Sequence, residues 1–328
     1  MKGELKKELG LTSEQARVIL GVARSVVEAD AVGPRSRALL DVLAEALDLS
    51  GWQTIAVPSD AAVRGAFERS SERRALVDAL VIPAAIECEV TRPREVVVRR
   101  WARVLEVESH WVEVLGPMRR RSVWGVRRQL FPRSPDGRRV LSRAWEEERW
   151  IGLWRALLFT LGLFRDPPLA ARFRALGALA EGTLGRTFHD HLVSRGMTFP
   201  GEAGGLPERM IHHDLMHVLD GDDTDPAGEC ELGGFYAACA PGDSFTFIVT
   251  VLATFQLGLP VSPAIVTPAT GAFDPRRVLA AWLRGRRLNV DVLGRWDYWS
   301  LMPLTLDEAR AHLGIARPVA SPRIALSA

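Results

Sequence analysis

The chain has 328 residues, an apolar fraction of 47%, 7 histidines and a formal net charge of +2. That length supports two domains with cores of their own, and the balanced charge excludes a polyacidic or polybasic protein as a class. The 3 cysteines, Cys88, Cys230 and Cys239, form no CxxC pair or disulfide framework, and MKGELKKELG lacks the apolar core of a signal peptide, so a cytoplasmic setting is expected. Residues 11–50 open on Thr12, Ser13 and Glu14 as cap material. They then place Val18, Ile19, Val22 and Val26, and later Leu39, Leu40, Leu43 and Leu47, at helical spacing. Two helices joined at VGPR are predicted. GWQTIAVPSDAAVRGAF reads as a connecting loop with a short helix. From Val81 to Ser109 the plan repeats: VEADAVGPRSRALLDVLAEALDLS is echoed by IECEVTRPREVVVRRWARVLEVES, with Pro34 and Arg35 matching Pro93 and Arg94. A duplicated helical hairpin is the simplest account.

With acids at Glu28, Asp30, Glu87 and Glu89 before each turn, this unit, residues 1–115, resembles the tellurite-resistance TerB-like domain. Such domains carry an Asp-Gly turn with further acids, whereas AVGPRSR and VTRPREV stand here. The acids therefore read as solvated helix faces, and the unit as an interaction module. Residues 116–143 read as an arginine-rich connection: from Arg119 to Arg143 there are nine arginines against the single acid Asp136, with Trp124, Leu130 and Phe131 interleaved. A solvated linker is the plain reading. A peripheral contact with an anionic membrane surface is the functional one, and nucleic acid is not expected.

A second domain is predicted over 144–328, giving an all-α protein of two helical domains. WIGLWRALLFTLGLF and FTFIVTVLATFQLGLP are strongly apolar but shorter than the roughly 20 residues that span a bilayer. They read as buried core helices, or as walls of a tunnel for an apolar chain. LPVSPAIVTPATGAF is a proline-rich passage, two arginine-bearing helical pieces follow around Val278 to Arg287, and a closing helix starts at Leu306. GRTFHDHLVSRG carries His189 and His191, read as surface or core histidines, although a remote histidine before an HD pair also occurs in metal-dependent phosphohydrolases.

HHDLMHVLDGDDTDPAGECE, His212 to Glu231, holds three histidines beside many carboxylates. A helix over RMIHHDLMHVL puts His213 and His217 one turn apart on one face, a spacing that lets two imidazoles share a divalent cation. Asp214 lies about 100° round the helix, as a ligand at the rim or a carboxylate that orients an imidazole. His212 points to the other side. Asp225 then Pro226 predict a cap and a second helix start, from which Glu229 is free to point across the hairpin. Two nitrogens with one or two carboxylates suit one divalent metal, zinc first, with iron, manganese or cobalt as alternatives.

HDLMH, the intervening residues and Glu229 resemble the metal-site signature of the fourth Coq protein of ubiquinone biosynthesis. GRTFHDHLVSRGMTFP, TDPAGE, FQLGLP and LTLDEARAHLGI are similar to that family as well, so the resemblance covers residues 150–316 or thereabouts. It implies an all-helical fold, a divalent metal on His213, Asp214, His217 and Glu229, a groove for a prenylated molecule, and oxidative decarboxylation of the quinone-ring precursor. The expected partners are a hydrophobic substrate or prenyl lipid, other enzymes of the same biosynthesis, and the inner face of a membrane. Two other functions compete: a non-catalytic prenyl-lipid organiser and an HD-type phosphohydrolase.

Overall fold

The helices begin where local chemistry can satisfy their first amides. In the computed structural model, which describes residues 1–130, 165–205, 211–221, 223–240, 244–261, 268–288, 290–292 and 296–315, every regular element is helical. Two isolated bridges, Thr183 with Thr305 and Leu257 with Thr270, are the nearest approach to a sheet among the described residues. WIGLWRALLFTLGLF and residues 131–143 of the arginine tract lie outside them.

After a short α1 (Glu4–Glu8), α2 (Ser13–Val27) opens on a capping box. Thr12 Oγ1 accepts from Gln15 N at 3.1 Å, and Thr12 N donates to Gln15 Oε1 at 2.9 Å. The next helix, α3 (Pro34–Ala46), has proline in its first turn but no side-chain cap from its own N-cap residue. Its amide at Ser36 donates instead to Glu87 Oε1 of the second hairpin at 2.7 Å. The connecting stretch forms a 3₁₀ turn at Trp52–Thr54 and α4 (Asp60–Ala66).

The second hairpin departs from a strict repeat. Its first arm is split into α5 (Ser70–Ala79) and α6 (Val81–Ala85), and α7 (Arg92–Val104) follows. Pro83 supplies the reason: it has no amide to donate, and its ring crowds the carbonyl four residues earlier, at Ala79. The tract predicted as a linker begins as packed helix, α8 (His110–Arg119) and α9 (Val123–Leu130), with Met118, Val126 and Leu130 buried.

The later part contains α10 (Pro167–Ala175), α11 (Leu184–Ser194), α12 (Ile211–Asp220), α13 (Pro226–Cys239) and α14 (Phe245–Val251). A π-helical turn (Leu252–Gln256) continues α14, and α15 (Pro275–Gly285) and α16 (Leu306–Leu313) complete the set. Where two arginine-bearing pieces were expected, α15 is one helix capped by Asp274. Helix α13 lies at the centre. A Cβ on Gly233 would stand 2.5 Å from Val251 Cγ1, and one on Gly234 2.7 Å from Val278 O, so glycine is what lets α14 and α15 close onto it.

Two cores result. One joins Val22, Val77, Trp101 and Trp111 to Ile248, Leu252, Phe255 and Phe273, so FTFIVTVLATFQLGLP is a core segment packed on the N-terminal helices. Gln256, fully buried, ties the halves further: its amide donates to Ile86 O, and its Oε1 accepts from Phe273 N at 3.0 Å. Arg276 pairs with Glu45 at 2.6 Å and Arg286 with Glu8 at 3.1 Å across the same boundary. The other core gathers Phe173, Phe188, Leu215, Phe235, Tyr298 and Leu301 around α12 and α13.

Candidate metal centre

Helix α12 is fixed at its C-terminal end, where a helix leaves carbonyls without partners. Arg310 of α16 donates to Leu219 O at 2.7 Å and to Val218 O at 3.4 Å. The fully buried Asp220 accepts from Arg284 of α15 at 2.7 and 2.5 Å. The chain turns at Gly221, whose φ is 78°, and re-enters at α13. There Asp225 Oδ1 accepts from Gly228 N at 2.8 Å, with Pro226 in the first helical turn, as the sequence predicts. A Cβ at position 228 would fall 1.8 Å from Asp223 O, so only glycine lets the turn fold back on the new helix. Arg195, just past the end of α11, holds the turn from outside, with Asp223 Oδ1 and Thr224 Oγ1 each at 2.9 Å.

This scaffold aims Glu229 across the hairpin. Its Oε1 lies 3.2 Å from His217 Nε2 and its Oε2 3.4 Å from His213 Nε2, while the two Nε2 atoms are 3.3 Å apart. Ligand atoms of His213, His217 and Glu229 all fall within 4.8 Å of one another, the single such group among the described residues. The His217 side chain is 0% exposed and that of His213 is 43% exposed, so the group is closed on one side and open on the other.

Glu229 is held in its ionised form. Burial alone would raise the proton affinity of Glu229, but hydrogen bonds from His213 and His217, and their charge, outweigh it and hold the carboxyl at about 2. Among the described residues no arginine or lysine pairs with this carboxylate. Asp214 is buried beside the group without joining it. Burial raises its affinity for a proton against the pull of His213 and His217, and its Oδ2 has no hydrogen-bond partner. Buried His217 Nδ1 likewise has none. Three of the four predicted ligands therefore converge, and the fourth stands alongside.

His212 faces away, its ring 5.6 Å from Trp296 and 5.3 Å from Tyr298. His191 is buried in the core against Phe188, whereas His189 pairs with the exposed Asp190 at 2.9 Å. Sequence reasoning missed Tyr236. Its ring, buried in the core, lies 6.4 Å from His213 and 5.2 Å from Phe247, which makes an aromatic row beside the group. The signal was available: seven residues after Glu229, Tyr236 returns to the same face of α13.

The acids of the N-terminal turns do something else. Asp30 and Glu89 are exposed, Glu28 pairs with Arg24 at 2.8 Å, and Glu87 caps α3. The buried Arg94 donates to Ala31 O at 3.0 Å and Ser36 Oγ at 3.3 Å between the two hairpins.

No protein-family model matches the chain, and no curated protein matches it by sequence. A crystal structure of a proposed ubiquinone biosynthesis protein from Nostoc punctiforme PCC 73102 is similar at 18% identity and a TM-score of 0.35, over 58% of this chain and 86% of that one. At that TM-score the likeness carries no functional weight. Neither does any comparison support the TerB-like resemblance of the first domain.

Proposed function

We propose that His213, His217 and Glu229 bind one divalent metal ion, zinc first, and that the chain is a metal-dependent enzyme acting on the aromatic head of a hydrophobic, prenylated molecule. The carrying observation is the convergence of two imidazole nitrogens and an ionised carboxylate within 4.8 Å with no basic side chain paired to that carboxylate among the described residues. The donor set fits a metal that keeps open positions, since a structural zinc site is normally closed by four ligands, often cysteines. A cation held there would supply Lewis-acid polarisation of a coordinated substrate oxygen. The half-exposed His213 leaves room for that oxygen, and Tyr236 with Phe247 supplies aromatic packing behind His213. Asp214, buried and with raised proton affinity, is placed to hold a proton next to the reacting group.

The finer reading, oxidative decarboxylation with dioxygen as co-reactant, rests on the HDLMH and Glu229 resemblance to the fourth Coq protein. The test combines metal analysis of the purified chain with turnover of a prenylated hydroxybenzoate under air and under argon. His217→Ala and Glu229→Gln are expected to lose both metal and product. Full turnover in a metal-free variant would sink the proposal. Copurified prenyl lipid without any product would favour a lipid-carrying organiser, and phosphodiester hydrolysis with manganese would favour a phosphohydrolase.

A further inference from the structure

The arginine tract acquires a definite geometry in α8 and α9. Val126 and Leu130 are buried on the inner face of α9, which fixes what its outer face presents. That face carries Trp124, 72% exposed and the most exposed of the large hydrophobic residues described, with Arg127 and Arg128 three and four positions on, hence beside it. Arg119, Arg120 and Arg121 are exposed in the preceding turn, and no acid occurs between Arg119 and Leu130.

Little of this charge is neutralised. Arg119 pairs with Glu95 at 2.8 Å. Arg121 donates to Leu257 O at 2.8 Å, and Arg127 donates to Pro260 O at 2.8 Å and Val261 O at 3.1 Å. Carbonyl acceptors immobilise these guanidiniums without cancelling their charge, and Arg120 and Arg128 make no ion pair among the described residues. An exposed indole is thus set in a fixed positive surface on a helix that packing prevents from turning inward.

We propose that this surface, Trp124 with Arg120, Arg121, Arg127 and Arg128, docks the protein onto an anionic lipid bilayer. An indole has an apolar body and a polar N–H, and it resides at headgroup depth. Anionic headgroups attract arginines at the surface by about 1 kcal/mol each. Peripheral contact needs no spanning segment, and no described helix is long and apolar enough to cross a membrane. A nucleic-acid strand fits this surface less well, because a convex helix with one aromatic side chain offers neither a groove for a backbone nor successive stacking platforms. The inference does not depend on the metal centre.

The test is cosedimentation of the full chain with phosphatidylcholine vesicles with and without phosphatidylglycerol. Binding is expected only with the anionic lipid and is expected to weaken as salt rises. Replacing two of the charges, Arg120→Gln with Arg128→Gln, lowers it about 25-fold on the per-arginine figure above. Trp124→Ser lowers it about tenfold through lost apolar contact, and the double lysine variant at 120 and 128 keeps it. His217→Ala, which strikes the metal centre, also keeps it. Indifference to lipid charge, unchanged binding in the glutamine and serine variants, loss of binding in His217→Ala, or tighter binding to a single-stranded oligonucleotide at equal salt would each overturn the proposal.

Discussion

Two acid-bearing helical hinges answer their carboxylates in opposite ways. Between the N-terminal hairpins the positive charge is built in: Arg94 is buried at the crossing, with Glu87 capping α3 beside it. Between α12 and α13 the partners of Glu229 are two imidazoles, whose ring nitrogens, unlike a guanidinium's, can serve as metal donors. A guanidinium cannot give up its proton or coordinate a metal, so the first hinge is closed chemically and serves packing. The second leaves a negative charge facing two nitrogen donors, and under the proposed function a cation from solution would complete it. Similar residue types thus yield a scaffold in one place and a candidate site in the other.

The largest effect should come from breaking the scaffold of the second hinge without touching its ligands. Arg284→Met leaves the carboxylate of Asp220, 0% exposed, buried without its partner, which costs about 4 kcal/mol. The expected outcome is a large drop in the urea midpoint together with weaker metal retention, because α12 loses an anchor. An unchanged midpoint would mean that the Arg284–Asp220 pair contributes nothing to stability.

Acid should separate the hinges next. Burial, with Arg195 and His217 adding to it, lowers His191 from 6.5 to about 4. As pH falls the unfolded chain therefore takes up this proton first. The stabilisation is complete above about pH 6.5 and is lost progressively down to about pH 4, by up to about 3 kcal/mol. His191→Phe should flatten the stability slope in that window. Hydrogen exchange should show α11 and α12 opening at a higher pH than α7, since Arg94 stays charged throughout. Equal opening of both regions would contradict the assignment.

For the first hinge, Arg94→Met removes a buried donor to Ala31 O and Ser36 Oγ and should cost about 2 kcal/mol. Zinc should raise the melting temperature of this variant as much as that of the parent chain, by the usual linkage of binding to stability. Loss of the zinc effect in Arg94→Met would place the metal, or its control, in the N-terminal hinge.

What the sequence made legible follows from the range of each interaction. Thr12 with Gln15, Asp225 with Pro226, and Thr305 with Glu308 act within one helical turn, so those starts were readable from composition alone. The facing pair His213 and His217 was readable for the same reason. The cap on α3 was not, because its acceptor Glu87 is 51 positions from Ser36. Nor was the side on which FTFIVTVLATFQLGLP would pack, which is decided by Gln256 reaching Ile86 across 170 positions. Periodicity says that such a segment is buried but cannot name the core that receives it. The all-helical class survives because it depends on many local patterns. For Asp214, an angle of about 100° from His213 leaves both ligation and burial open, and the packing around α12 determines which neighbours its carboxyl meets.

The finest comparison is between a local cap and the site it serves. Asp225→Ala removes the acceptor for Gly228 N at 2.8 Å and should cost about 1 kcal/mol. In stability it is the smallest of these changes, and an ordinary surface cap would end there. This cap also sets the first turn of α13, and Glu229 lies only one residue beyond Gly228. Loosening that turn lets the carboxylate move relative to His213 and His217, so metal affinity should fall by more than the loss of stability alone accounts for. Asp225→Asn keeps a side-chain acceptor and should restore most of both. Isothermal titration of zinc into the two variants, set beside their urea curves, separates the effects. Metal affinity unchanged in Asp225→Ala would show that Glu229 is held by the packing of α13 on α14 and α15, with its cap incidental to the site.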